Sequence, residues 1–192
     1  MTKLKAIAVR ASALYGRKFW LDTFLVFSVV VILVEVYENY SPAKLAFNST
    51  ASIPRGAYLG RALQPHETPQ LGDIACFKYS EPAVFQGRSY FPEGSVLCKP
   101  VVAVAGDTLL REDNSLYLLR TGQPRVSLTK VVERDSRGRE MPKLFAGEAY
   151  TLQTGEYVLI AGAKPNSLDS RFLGVFKREQ LFQTVKPLLT FN

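Results

Sequence analysis

The sequence contains a single histidine, His66, set in the polar, proline-flanked stretch QPHETPQ. A Ser/His/Asp triad would need it as general base, and its loop setting argues against that role. A solvated loop histidine is the plainer reading. The same scarcity removes Cys/His dyads and multi-histidine metal sites. Two cysteines, Cys76 and Cys98, are too few for a disulfide scaffold and are spaced for neither a zinc site nor a redox motif. They fit one bridge in an oxidising compartment or two buried small hydrophobes, the second being the plainer reading. Internal repeats, low-complexity runs and convincing long amphipathic helices beyond residue 40 are also missing.

What is present begins with size. At 192 residues, 47% of them apolar, the chain suits one compact domain plus an appendage. Its net charge of +7 is uneven. Lys3, Lys5, Arg10, Arg17 and Lys18 face no acid within residues 1–18, so the remaining chain carries only +2. No nucleic-acid partner is expected from so modest a surplus.

Residues 19–37 read FWLDTFLVFSVVVILVEVY, with an uninterrupted apolar core from Thr23 to Val34. A bilayer requires roughly 20 residues of helix, a length reached here if Asp22 and Glu35 sit near the two interfaces with Trp20 and Tyr37 as aromatic anchors. A small-x-small cleavage site does not follow the run, which favours an uncleaved anchor over a removable signal peptide. The basic residues before it and Glu35 and Glu38 after it orient the helix with its N-terminus inside. The expected organisation is a cytoplasmic basic segment over 1–18, a transmembrane anchor over 19–37 and a domain outside the cytoplasm over 38–192.

Beyond the anchor, apolar residues come in short runs divided by turn signals such as Gly72-Asp73, Gly106-Asp107, Gly122 and Gly155. These are strand lengths, and a mostly β domain is expected. Residues 111–143 differ, with eight basic and five acidic residues among several glycines and prolines. A small inserted cap over about 111–146 is expected there.

Three segments carry candidate chemistry. In Asn48-Ser-Thr-Ala-Ser-Ile-Pro-Arg-Gly-Ala-Tyr58, Ser52 stands just ahead of Ile53-Pro54 and Gly56. The proline forces an extended backbone and the glycine permits a tight turn, a setting able to present a hydroxyl in a cleft. Lys99 interrupts the apolar run from Val96 to Val104. Burying an ammonium ion is costly, and a desolvated lysine loses its proton more readily, which suits a general base. In Asn166-Ser-Leu-Asp-Ser-Arg171, Ser167 can orient a lysine amine while Asp169 and Arg171 fix the loop.

In order and character these segments resemble the type I signal peptidase family, in particular its conjugative-transfer branch. Asn48, Thr50, Ser52, Pro54, Gly56 and Tyr58 are similar to that branch's alternating N-x-T-x-S-x-P-x-G-x-Y block. Gly72-Asp73, the Lys99 segment and Asn166–Arg171 resemble the later blocks, with Pro100, Ala105 and Ala161-Gly-Ala-Lys-Pro165 departing from the usual pattern. The resemblance implies a signal-peptidase-like β domain with Ser52 as nucleophile and Lys99 as general base. It further implies that Ser167 orients the lysine and that Thr50 helps form an oxyanion hole. It also implies a cofactor-free and metal-free endopeptidase of the inner membrane, its domain periplasmic, acting on an exported precursor such as a prepilin, with cyclisation of the product. A general signal peptidase and a non-catalytic envelope assembly protein are the competing readings.

Overall fold

A computed structural model describes residues 2–41, 43–85, 87–162 and 164–191; side chains of the first helix are described at residue 16 and from 18 to 37. Two units divide at Pro42. The first is helix α1 (Thr2–Tyr40). Its stretch Lys18–Tyr37 is 20 residues long, apolar, and buried nowhere along its length. At 1.5 Å rise per residue it spans about 30 Å, the thickness of a bilayer core. It is therefore a candidate membrane anchor.

The second unit is mostly β, as its short apolar runs lead one to expect. Strands β1 (Ala43–Asn48), β2 (Arg55–Ala62), β3 (Ile74–Lys78) and β4 (Val96–Ala103) come first. Strands β5 (Thr108–Glu112), β6 (Ser115–Leu119), β7 (Val126–Lys130) and β8 (Tyr150–Thr151) follow. The chain then forms β9 (Glu156–Leu159), the single-turn helix α2 (Ser170–Leu173), β10 (Phe176–Lys177) and β11 (Leu181–Phe191). Among the described residues the strands make a seven-stranded sheet, ordered β1-β2-β11-β3-β4-β9-β10, and a four-stranded sheet, ordered β7-β6-β5-β8.

Strand β11 lies between β2 and β3, so residues more than a hundred positions apart pair at the centre of this half of the sheet. Gly56 makes room for it. A Cβ there would lie 2.0 Å from the Leu189 carbonyl oxygen, and its φ of +140° falls where side chains are strained.

The two sheets share one core. Leu109, Leu116, Leu118, Val131 and Leu152 from the small-sheet region pack with Ala103, Val158, Ile160 and Phe172. The small sheet runs from residue 108 to 151, wider on both sides than the charged stretch, because β5 begins before that stretch and β8 pairs with β5 from beyond it. A smaller cluster of Ile53, Tyr58, Cys76 and Val185 lies beneath the β1–β2 connection.

Cys76 and Cys98 are bridged and are not a pair of separate buried thiols. They are direct antiparallel neighbours on β3 and β4, so register brings together two residues 22 positions apart. Such a staple is expected to persist in an oxidising compartment.

Candidate active site

The β1–β2 connection is a stapled loop. The Asn48 side chain donates to the carbonyls of Thr50 (2.8 Å), Ile53 (3.0 Å) and Pro54 (3.1 Å), and its Oδ1 accepts from the Thr50 backbone N–H at 3.1 Å. The Tyr58 hydroxyl donates to the Pro54 carbonyl. Ile53 is buried and plugs the loop into the core, while Ser52 beside it is half-buried. Four of the six motif residues thus have structural tasks: Asn48 and Tyr58 tie the loop, Pro54 supplies acceptors and Gly56 admits β11.

Lys99 lies in β4 opposite Ala75, next to the disulfide. Only 5% of its surface is exposed. Among the described residues no hydrogen bond or ion pair closes on its amine. Burial lowers its pKa to about 8; Asp169 pulls the other way, and the positive charges of Arg171 and Lys164 lower it further. An amine that deprotonates near pH 8 is equipped to accept a hydroxyl proton.

Ser167 is buried, and its hydroxyl has no hydrogen-bond partner. The loop that bears it is tied by the buried Asp169–Arg171 pair. Asp169 accepts from Arg171 Nη2 (2.7 Å), Arg171 Nε (2.8 Å) and the Ala161 N–H (2.9 Å). Arg171 also donates to the carbonyls of Lys164 at 2.6 Å and Pro165 at 3.1 Å, and across to Lys130 at 3.2 Å on the small sheet. Two oppositely charged groups can be buried here because every strong donor and acceptor finds a partner.

Two cavities of about 320 Å³ each adjoin these residues, and Thr50, Ser52 and Lys99 line both. Ser167, Asn166, Lys164, Tyr90, Asp135 and Met141 are among the other residues that line the first. Phe47, Val96, Leu97 and Cys98 line the second, more apolar one. Thr50, Ser52, Lys99 and Ser167 therefore converge on one cleft from three places in the sequence, with Asp169 and Arg171 fully buried behind the loop. The Thr50 hydroxyl donates to Asn48 Oδ1 at 2.7 Å, so it must turn before it can donate to anything in the cleft. Among the described residues no acceptor closes on the Ser52 backbone N–H. His66 is exposed and lines neither cavity.

Nothing in the sequence marks Lys164 or the turn around Asp135 as cleft residues. The one signal was that Ala161–Pro165 departs from the expected loop pattern.

A cleft of this kind, on a mostly β unit that follows an apolar helix, fits the comparisons. The chain belongs to the signal peptidase family, peptidase S26, which it matches over residues 17–189, and is a peptidase of the signal peptidase type. It is 27% identical over 150 residues to the plasmid transfer protein TraF of Escherichia coli, a match covering 78% of each chain. A signal peptidase I from Enterococcus faecalis, solved by crystallography, is a more distant likeness: 21% identity, 60% of this chain and 94% of its own, TM-score 0.35.

Proposed function

We propose that this protein is a membrane-anchored serine endopeptidase in which Ser52 is the nucleophile and Lys99 its general base. The observation that carries the reading is Lys99 itself, an almost fully buried amine held near pH 8 in the cleft that Ser52 lines. At pH 7 about a tenth of such amines are neutral, about 300-fold more than for an ordinary lysine. A neutral Lys99 accepts the Ser52 proton as the hydroxyl attacks the scissile carbonyl, then returns it to the leaving amine. The Ser52 N–H and a reoriented Thr50 hydroxyl stabilise the oxyanion. The Ser167 hydroxyl, partnerless at rest, turns to the Lys99 amine to orient it, and Asp169 with Arg171 holds the loop.

The substrate is an exported precursor cleaved after a small residue. Likeness to a plasmid transfer protein favours a component of a transfer apparatus, a prepilin, whose own N-terminus resolves the acyl-enzyme to give a circular product. The charge asymmetry around α1 and the Cys76–Cys98 bridge both favour a periplasmic domain held at the inner membrane. Mass spectrometry of the precursor product tests the reading. Maturation should stop with Ser52→Ala and with Lys99→Ala, and unchanged maturation in either removes the dyad.

A general signal peptidase is the second reading, supported by family membership. Complementation of cells depleted of their housekeeping enzyme separates the two, since a dedicated prepilin peptidase fails to rescue growth.

A further inference from the structure

The cleft contains a second lysine that the dyad does not use. Lys164 lines the same cavity as Ser52, Lys99 and Ser167, on the loop fixed by Arg171. Its carbonyl accepts from Arg171 at 2.6 Å and from the Ser167 N–H at 3.2 Å, and its own N–H donates to the Ala161 carbonyl at 3.2 Å. The root of this side chain is therefore rigid.

Its charge lacks an evident structural purpose. Among the described residues no carboxylate is paired with its ammonium group. Asp135, the acid that lines the same cavity, is already engaged by the Tyr90 hydroxyl (2.7 Å), Arg139 Nε (2.7 Å) and the N–H groups of Arg137 and Arg139 (2.9 Å each). Asp169 is held by Arg171. Lys164 also stands close enough to Lys99 to oppose its protonation. Lys164 is itself exposed, so solvent screens this repulsion and its charge is cheap to keep at the mouth of the cleft. When Lys99 becomes neutral for catalysis, Lys164 remains as the cleft's uncompensated positive charge.

We propose that Lys164 is a specificity-determining residue that receives a carboxylate of the substrate close to the scissile bond. This rests on the peptidase reading above. The carboxylate belongs either to an acidic side chain or to a free C-terminus lying a few residues beyond the cut. An exposed charge-assisted contact of this kind is worth about a two- to fivefold preference.

The test uses the full chain in detergent with internally quenched peptides carrying small residues at the cut. Glutamate or glutamine is scanned through the neighbouring positions, and the C-terminus is free or amidated. One glutamate position, or the free C-terminus, should lower KM about two- to fivefold relative to its neutral twin. Lys164→Ala should abolish that preference, Lys164→Glu should reverse it, and Lys164→Arg should keep it. In addition, Lys164→Ala should move the acid limb of the pH profile to higher pH, since the remaining influences on Lys99 are burial, Asp169 and Arg171. Binding of the same peptides to the Ser52→Ala protein separates the two claims. A charge preference in binding without turnover by wild type retains the carboxylate site and removes the peptidase reading. Turnover with equal KM for every charged and neutral twin, or a preference that survives Lys164→Ala, overturns the proposal.

Discussion

Burial outweighs Asp169 in setting the charge of Lys99. The Asp169 carboxylate favours the ammonium form, yet the amine is held at about 8 because desolvation dominates and Arg171 and Lys164 add to it. The Asp169–Arg171 ion pair thus acts on Lys99 from both sides at once.

The first prediction concerns pH. In the unfolded chain Lys99 titrates near its ordinary 10.5, and in the folded protein near 8. Between those values the unfolded state binds the extra proton, so stability rises with pH across that window. Below pH 8 both states are protonated and the burial penalty is fully present. Lys99→Met should therefore stabilise the fold by up to about 3 kcal/mol at pH 6, a gain that fades as pH rises towards 10.5, measured by urea unfolding. Activity of the wild type should rise with pH and level off above about 8.

Ser167→Ala separates orientation from stability. Its hydroxyl is buried without a partner, so removing it should cost no stability and could add about 1 kcal/mol. Peptidase activity should nevertheless fall about 10- to 100-fold if the hydroxyl steers the Lys99 amine. Parallel thermal melts and turnover assays decide between the two roles.

Gly56→Ala should be far worse than Gly72→Ala. Both glycines have positive φ, but an added Cβ meets the Leu189 carbonyl at 2.0 Å in the first case and nothing within 4 Å in the second. The first variant must push β11 away from β2, and expression level with denaturant midpoints should rank them accordingly.

Reduction or removal of the Cys76–Cys98 bridge should destabilise the domain by about 3 kcal/mol, from the chain entropy released in a loop of this length. The strand that carries Lys99 would lose a tie one residue away. Melting of the Cys76→Ala/Cys98→Ala protein beside the oxidised and reduced wild type measures the effect.

The features legible in the sequence were those set by local chemistry. An apolar run of bilayer length, a serine ahead of a proline, and a lysine inside an apolar strand each declare themselves within ten or twenty residues. The disulfide did not, because it depends on the register that aligns β3 with β4. Nor did the position of β11 between β2 and β3, which rests on contacts more than a hundred residues apart. In the motif around Ser52 the turn allowed by Gly56 is readable locally, whereas the tying of the loop by Asn48 and Tyr58 and the space Gly56 leaves for β11 need the folded chain. Lys164 carries no local signal, because an isolated lysine before a proline resembles any surface loop.

Arg171 joins what a designer would be tempted to separate. Its guanidinium reaches Thr129 and Lys130 in the small sheet and Lys164 and Pro165 in the loop before Ser167. Excising the small sheet to obtain a minimal enzyme would take two acceptors from the buried Arg171 guanidinium and strip Leu109, Leu116 and Leu118 from the common core. The sheet is not a detachable module, and grafts between relatives will succeed only when it is exchanged together with the loop it braces.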